Sequence, residues 1–185
     1  MNDSLVRNFF AEEVRVALQQ MHPTRAPGPD SMSGIFYQKY WNIIGCDVNS
    51  MVLNVLILDN PMSELNKTNI TLVPKVKQPT RMKDFRPISL SNATYKLISK
   101  VLANCLKVVL PQLILENQNA FLPERLITDN ILVAFELMHY LDHKKDGRDG
   151  FMAVRLYMSK AYDRVEWKFI EEVMRRMGFH KRWIG

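Results

Sequence analysis

Five basic side chains, Lys75, Lys77, Arg81, Lys83 and Arg86, cluster around Pro79 in this 185-residue chain. An arginine offers phosphate a planar fork of donors, and a lysine offers a compact point charge. The cluster therefore suits phosphoryl oxygens, and it equally suits the solvated tip of a hairpin. A second chemical pattern is His139 and His143, four residues apart as zinc ligands on a helix often are. The glutamate of the metalloprotease pattern is not between them and no third ligand is apparent, so a surface or core pair is the reading. A third is the stretch 152–167, MAVRLYMSKAYDRVEW. Met152, Val154, Leu156 and Met158 alternate with Arg155 and Tyr157, which predicts a strand; the chain then turns over residues 159–162 and enters a helix. Asp163 and Glu166 have capping-box spacing. A strand that turns into a helix is a common mount for catalytic groups.

The elements around these residues follow from periodicity. Residues 69–73 read as a strand ended by Pro74, and 85–90 as a second strand, so the basic cluster caps a hairpin. Helical spacing predicts a helix over 11–21 with Val14, Leu18 and Met21 on one stripe. Residues 24–34, TRAPGPDSMSG, form a loop. Residues 35–58 read as two helices, or as one weakened at Gly45, with an apolar stripe that packs in the core. Asp59, Asn60 and Pro61 make a turn. A helix over 93–110 carries Leu97, Ile98, Val101, Leu102, Cys105, Leu106 and Val109 on its core face. Residues 116–130 are polar and irregular, 128–143 are helical with Ile131, Leu132, Phe135, Met138 and His139 along one side, and 144–150 are a charged turn. The last helix carries Trp167, Ile170, Val173, Met174 and Met177 inward and closes at Gly178.

The motifs on these elements resemble the reverse transcriptases of LINE-type (non-LTR) retrotransposons. LYMSKAYDRVEW matches that family's L-D-M-S-K-A-Y-D-R-V-E-W except at Tyr157, where the family has a metal-binding aspartate. Ala26, Pro27, Gly28, Pro29 and Asp30 match its K-A-P-G-P-D-G loop; Arg25 keeps the charge, and Ser31 replaces a glycine that takes a positive φ cheaply. The hairpin resembles I-x-L-I-P-K … D-F-R-P-I-S-L, and 95–106 resemble Y-K-x-I-S-K-V-L-A-N-R-L, with Cys105 at the arginine. Gln118, Ala120, Phe121, Pro123, Arg125, Ile127, Asp129 and Asn130 match Q-x-A-F-x-P-G-R-x-I-x-D-N, in which Glu124 replaces a glycine.

The resemblance implies an α+β chain: the fingers and incomplete palm of a right-hand polymerase, helix-rich with short antiparallel strands, as one partial domain over 1–185. It implies that Lys75 and Arg86 meet the triphosphate of an incoming nucleotide, and that the Tyr162 ring lies under its sugar. Gln118 and Arg125 would lie along template and primer, as would Lys77, Arg81 and Lys83 if they are more than a solvated tip. The family's partners are an RNA template and a DNA primer, and its cofactor is Mg2+, two ions that clamp the attacking and leaving oxygens. Tyr157 is a poor magnesium ligand beside a carboxylate, and no two aspartates are adjacent anywhere in the chain. Asp163, six residues on, already has a structural use as a cap. The expectation is a fragment of an RNA-directed DNA polymerase, inactive as it stands and with no metal site. The alternatives are a non-enzymatic nucleic-acid-binding remnant of the fingers and a translated remnant without a stable fold. A truncated palm should leave apolar surface uncovered.

Composition bounds these readings. A hydrophobic content of 47% and a length of 185 residues allow a sizeable core, and a net charge of +6 with pI about 9.4 suits a polyanionic partner. Cys46 and Cys105 sit in apolar helical patterns as buried thiols. The acidic N-terminal stretch has no signal-peptide core, and the apolar run 51–58 is too short to span a membrane. An intracellular protein, nuclear or cytoplasmic and not secreted, is expected, so Asn66-Lys67-Thr68 carries no glycosylation argument. Phosphate-binding glycine motifs of the P-loop or Rossmann type are absent.

Overall fold

The computed structural model describes residues 2–58, 62–119, 122, 124–144, 150–158 and 161–184. The expected turns at 59–61, at 159–160 and in most of 144–150 fall outside the described residues, as do Ala120, Phe121, Pro123 and the side chain of Tyr162. In chain order come α1 (Asn2–Val6), α2 (Ala11–Gln19), α3 (Gly34–Lys39), α4 (Trp41–Leu58), β1 (Thr68–Pro74), a 3-10 turn (Met82–Asp84), β2 (Phe85–Ser91), α5 (Ala93–Leu113), α6 (Ile127–His143), α7 (Ala161–Arg164), α8 (Trp167–Arg176) and α9 (Lys181–Ile184). This is an α+β chain with one antiparallel pair of strands among the described residues. It forms two compact units, Arg7–Cys105 and Met1–Val6 with Leu106–Gly185.

The first unit is built on α2, α4 and α5. Helix α2 starts where the Glu13 carboxylate turns back to accept the Phe10 N–H at 3.0 Å, and Arg7 donates to the same oxygen at 3.0 Å. The hydrogen bond from Arg7 holds the Glu13 carboxyl below the usual carboxylate range. Val14, Ala17 and Leu18 then face inward and are buried, one turn apart. The chain breaks between α3 and α4 at Tyr40, with φ −102° and ψ 18°, not at Gly45. Gly45 is instead a packing device inside α4: a Cβ there would lie 2.9 Å from Trp41 Cε2, so only glycine leaves room for the indole. Of the expected stripe, Val48 and Val52 are buried while Tyr40 is exposed. At 18 residues α4 is longer than its apolar run 51–58, and it is long and apolar enough to cross a membrane by length and composition. Burying Val48 and Val52 is what a soluble core helix does as well. Helix α5 buries Leu97, Ile98, Val101, Cys105 and Val109 and runs past the expected end to Leu113. Burial pushes the Cys105 thiol pKa up, whereas Cys46 is exposed, because it lies on the outer face of α4.

The second unit joins the two ends of the chain. The Asn2 side-chain amide donates to Gly178 O at 2.9 Å and its carbonyl accepts the His180 N–H at 3.1 Å. Trp183 Nε1 donates to Leu5 O at 2.7 Å. Helix α8 closes as its sequence predicts. Gly178 takes φ 81°, its N–H reaches Arg175 O at 3.1 Å, and the Phe179 N–H reaches Met174 O at 3.0 Å. That pair of bonds is a Schellman motif, with Phe179 buried behind it.

Three expectations for this unit are corrected. Residues 152–158 are not a strand: no ladder partner exists for them among the described residues, and an isolated strand leaves its backbone groups unpaired. Asp163 does not cap a helix, because it lies inside the four-residue α7, and α8 begins only where Glu166 O accepts the Phe169 and Ile170 N–H groups. Trp167 is 85% exposed rather than inward, while Val173, Met174 and Met177 are half-buried. The α6 stripe also faces out, with Ile131, Leu132, Phe135 and Met138 exposed. The uncovered apolar surface that was expected is therefore there. His139 and His143 stack at 4.0 Å between ring centroids, and His143 Nδ1 lies 2.8 Å from His139 O. They form a surface pair.

Among the described residues, the two non-glycines with positive φ are Ser31 at 57° and Glu124 at 62°. Both stand where the LINE-type motifs carry glycine. The left-handed region costs an L-residue about 1–2 kcal/mol, and glycine returns about 0.5–1 kcal/mol of that through a freer unfolded chain. Ser31→Gly and Glu124→Gly should each stabilise the protein by about 0.5–1 kcal/mol. A rise in the urea midpoint at unchanged slope checks it; a fall at either site would show that the φ is not strained.

Candidate nucleic-acid interface

Strands β1 and β2 pair with Val73 opposite Arg86 and Pro74 opposite Phe85. Lys75 continues the ladder, since its N–H donates to Asp84 O at 2.7 Å. Side chains opposite one another share a face, and residues two apart on a strand do too. Lys75 therefore extends the face that carries Val73 and Arg86. Both strands are largely exposed, and Ile70, Leu72 and Ile88 are apolar residues on their surface. Pro74 and Pro87 are tolerated because a two-stranded ribbon has only edges.

The tip is ordered by backbone carbonyls and by the Asp84 carboxylate. Lys75 Nζ donates to Lys83 O at 2.9 Å. Asp84 Oδ2 accepts the Thr80 N–H at 3.1 Å and the Arg81 N–H at 2.9 Å, and the Asp84 N–H closes the 3-10 turn on Arg81 O at 2.9 Å. Lys75, Lys77, Arg81, Lys83 and Arg86 thus come together at one end of the hairpin. None of the five is in an ion pair among the described residues.

The other end of the hairpin is braced by the 24–34 loop. Gly28 lies so close to Ser91 and Asn92 that a Cβ would sit within contact-forbidden range of both backbones. Asn92 Oδ1 accepts the Asp30 N–H at 3.3 Å, and Lys96 Nζ donates to Ala26 O at 3.0 Å. The Ala26–Asp30 motif is therefore a brace on the junction of β2 and α5, which explains why its glycine and its turn chemistry are needed. Asn92 and Lys96 were not singled out by sequence, and neither was Asp84. Asn92 was signalled only by its place one residue past a strand, whereas Lys96 and Asp84 fall on the K of Y-K-x-I-S-K and the D of D-F-R-P-I-S-L without a role attached to either.

Gln118 and Arg125 belong to the other unit. Arg125 Nη1 donates to Leu115 O at 2.7 Å and to Gln118 O at 2.8 Å, so the guanidinium clamps its own loop through one nitrogen. The buried Asn119 donates to Asn130 Oδ1 at 3.1 Å, which ties the same loop to the first turn of α6.

Tyr157 is 81% exposed and its neighbour Leu156 is 91% exposed. Among the described residues, no three His, Cys, Asp or Glu side chains gather as a group able to hold a metal ion. Magnesium prefers carboxylate and water oxygens, and the chain offers a phenol at 157, so these residues do not fit a catalytic magnesium pair.

The family described as reverse transcriptase (RNA-dependent DNA polymerase) matches residues 73–185, which begins inside β1 and takes in the whole basic tip. The chain belongs to the reverse transcriptase family. Its curated relatives include the transposon TX1 uncharacterized 149 kDa protein of Xenopus laevis, 26% identical over 174 residues. That alignment covers 94% of this chain and 13% of the relative. The LINE-type motifs agree with the family match, and the relative is a transposon protein. Among the described residues of this reverse transcriptase chain, the hairpin tip gathers Lys75, Lys77, Arg81, Lys83 and Arg86 in one ordered turn.

Proposed function

We propose that this chain is the fingers and partial palm of a non-LTR RNA-directed DNA polymerase, that it binds polynucleotides through the hairpin tip, and that it does not polymerise as it stands. The observation that carries this reading is the ordered tip, where five cations meet and Lys75 and Arg86 share a face. Phosphates of an RNA template, a DNA primer or a nucleotide fit that chemistry, and an intracellular site of action is part of the proposal. Tyr157, at the position where the LINE-type motif carries its metal-binding aspartate, supports the loss of catalysis. In the family, Mg2+ supplies charge neutralisation at the reacting oxygens; this chain's own residues hold phosphates and do not hold that ion. Binding of labelled single-stranded RNA tests the reading. Affinity should fall linearly on a log–log plot against salt with a slope of about −0.7 per phosphate contacted. Binding that ignores salt would overturn it.

A further inference from the structure

We infer that Asp84 is a positioning residue whose carboxylate holds the hairpin tip in the shape that presents Arg81 and Lys83, with Lys75, to phosphates. The inference rests on the polynucleotide-binding reading above. Asp84 is the single acid among residues 75–86, which carry five bases. Coulomb's law alone makes it a liability, because a negative charge inside a phosphate-binding loop repels the ligand. Its geometry gives it a different use. One oxygen accepts two successive amides, Thr80 N–H at 3.1 Å and Arg81 N–H at 2.9 Å. Its own backbone completes the shape: the N–H bonds Arg81 O, and the carbonyl accepts the Lys75 N–H at 2.7 Å. The neighbouring carbonyl, of Lys83, holds the Lys75 ammonium. Loop, 3-10 turn and strand end therefore all meet at one residue, and its carboxylate ties in the loop amides of Thr80 and Arg81. No ion pair joins Asp84 to the five cations among the described residues, and its Oδ2 goes to the backbone. Carboxylate bonds to backbone N–H groups are the stronger, charge-assisted kind. Without them the loop would have to be ordered on binding, and that cost would fall on affinity.

The charge role and the positioning role predict opposite signs. Asp84→Asn removes the charge and keeps an oxygen that accepts amides; Asp84→Ala removes both. Both variants make the tip more basic by one charge, so a purely electrostatic role has both binding single-stranded RNA more tightly than the native protein. The positioning role has Asp84→Asn binding at least as tightly as native. It has Asp84→Ala binding about threefold to tenfold more weakly, the ordering cost of one or two side chains. Amide hydrogen exchange at Thr80 and Arg81 should quicken in Asp84→Ala alone, with the thermal midpoint unchanged in all three proteins. Equal or tighter binding by Asp84→Ala would overturn the inference, as would equal exchange at those amides. If the native chain binds no RNA at low salt, the polynucleotide reading fails and the functional role of Asp84 fails with it. The exchange comparison then separately decides whether Asp84 orders the tip.

Discussion

Replacing Lys75 and Arg86 together by alanine should weaken binding of single-stranded RNA by about 2–4 kcal/mol at low salt, roughly thirtyfold to a thousandfold, taking each charge-assisted contact at about 1–2 kcal/mol. The two side chains leave one face of the hairpin, and each replaces a released counterion with its own charge when phosphate binds. Losing two phosphate contacts should also make the log–log salt slope shallower by about 1.4. The effect must be largest at low salt and shrink as salt rises, because exposed charges are screened beyond a Debye length of about 10 Å at 0.1 M. Folding should be little affected, since both side chains are exposed. A titration series from low to moderate salt on native and double-variant protein reads all of this at once. An unchanged slope would remove these two residues from the interface.

Ile98→Ala should destabilise the Arg7–Cys105 unit by about 2–5 kcal/mol, a large part of a typical domain's stability. Ile98 has no exposed surface and sits on α5 between the buried Leu97 and Val101. Truncation removes its burial and leaves a cavity that close-packed neighbours fill only in part. Helix α5 also follows directly from β2 and carries the Asn92 and Lys96 contacts to the 24–34 loop. Loosening it should therefore free the base of the hairpin as well. The matched comparison is Leu132→Ala on α6. Leu132 is exposed, so that change should cost within about 0.5 kcal/mol. Urea unfolding of the two variants would separate a real core from a merely apolar pattern; equal midpoints would contradict the packing described here.

That comparison also marks how far the sequence could be read. The stripe on α5 and the stripe on α6 look alike as patterns, since periodicity shows only that apolar residues share a face. What covers the face is a tertiary fact, and among the described residues the α5 face is buried while the α6 face is not. The same limit applies to residues 152–158. Their alternation of apolar and polar side chains is strand-like, yet a strand exists only with a partner to satisfy its backbone. The hairpin was legible because both of its strands and its turn lie within twenty-four residues of one another. The Schellman closure at Gly178 was legible for the same reason, as its bonds lie within six residues, Met174 to Phe179. Gly45 misled because a glycine in a helix reads as a weak point, whereas here it makes room for the Trp41 ring. Ser31 and Glu124 did the reverse. Two substitutions at glycine positions turned out to mark the two left-handed residues.

At the candidate site, the five cations were visible as a cluster in sequence, and the register adds that Lys75 and Arg86 share a face. The role of Arg125 was not visible. A guanidinium near a phosphate path and a guanidinium that clamps two carbonyls have the same sequence signature; the bonds to Leu115 and Gln118 add the clamp, made through Nη1. Asp84 was hidden by its sign, since a basic loop draws attention to its bases.

The most direct test of the central claim is primer extension on an RNA template annealed to a DNA primer, with deoxynucleotides and Mg2+, run under conditions where anisotropy shows the duplex bound to the protein. The account predicts that the template–primer is bound in a salt-sensitive way and that the primer stays at its starting length. Magnesium-dependent lengthening of the primer would contradict it, and would mean that Tyr157 does not stand in place of an essential carboxylate.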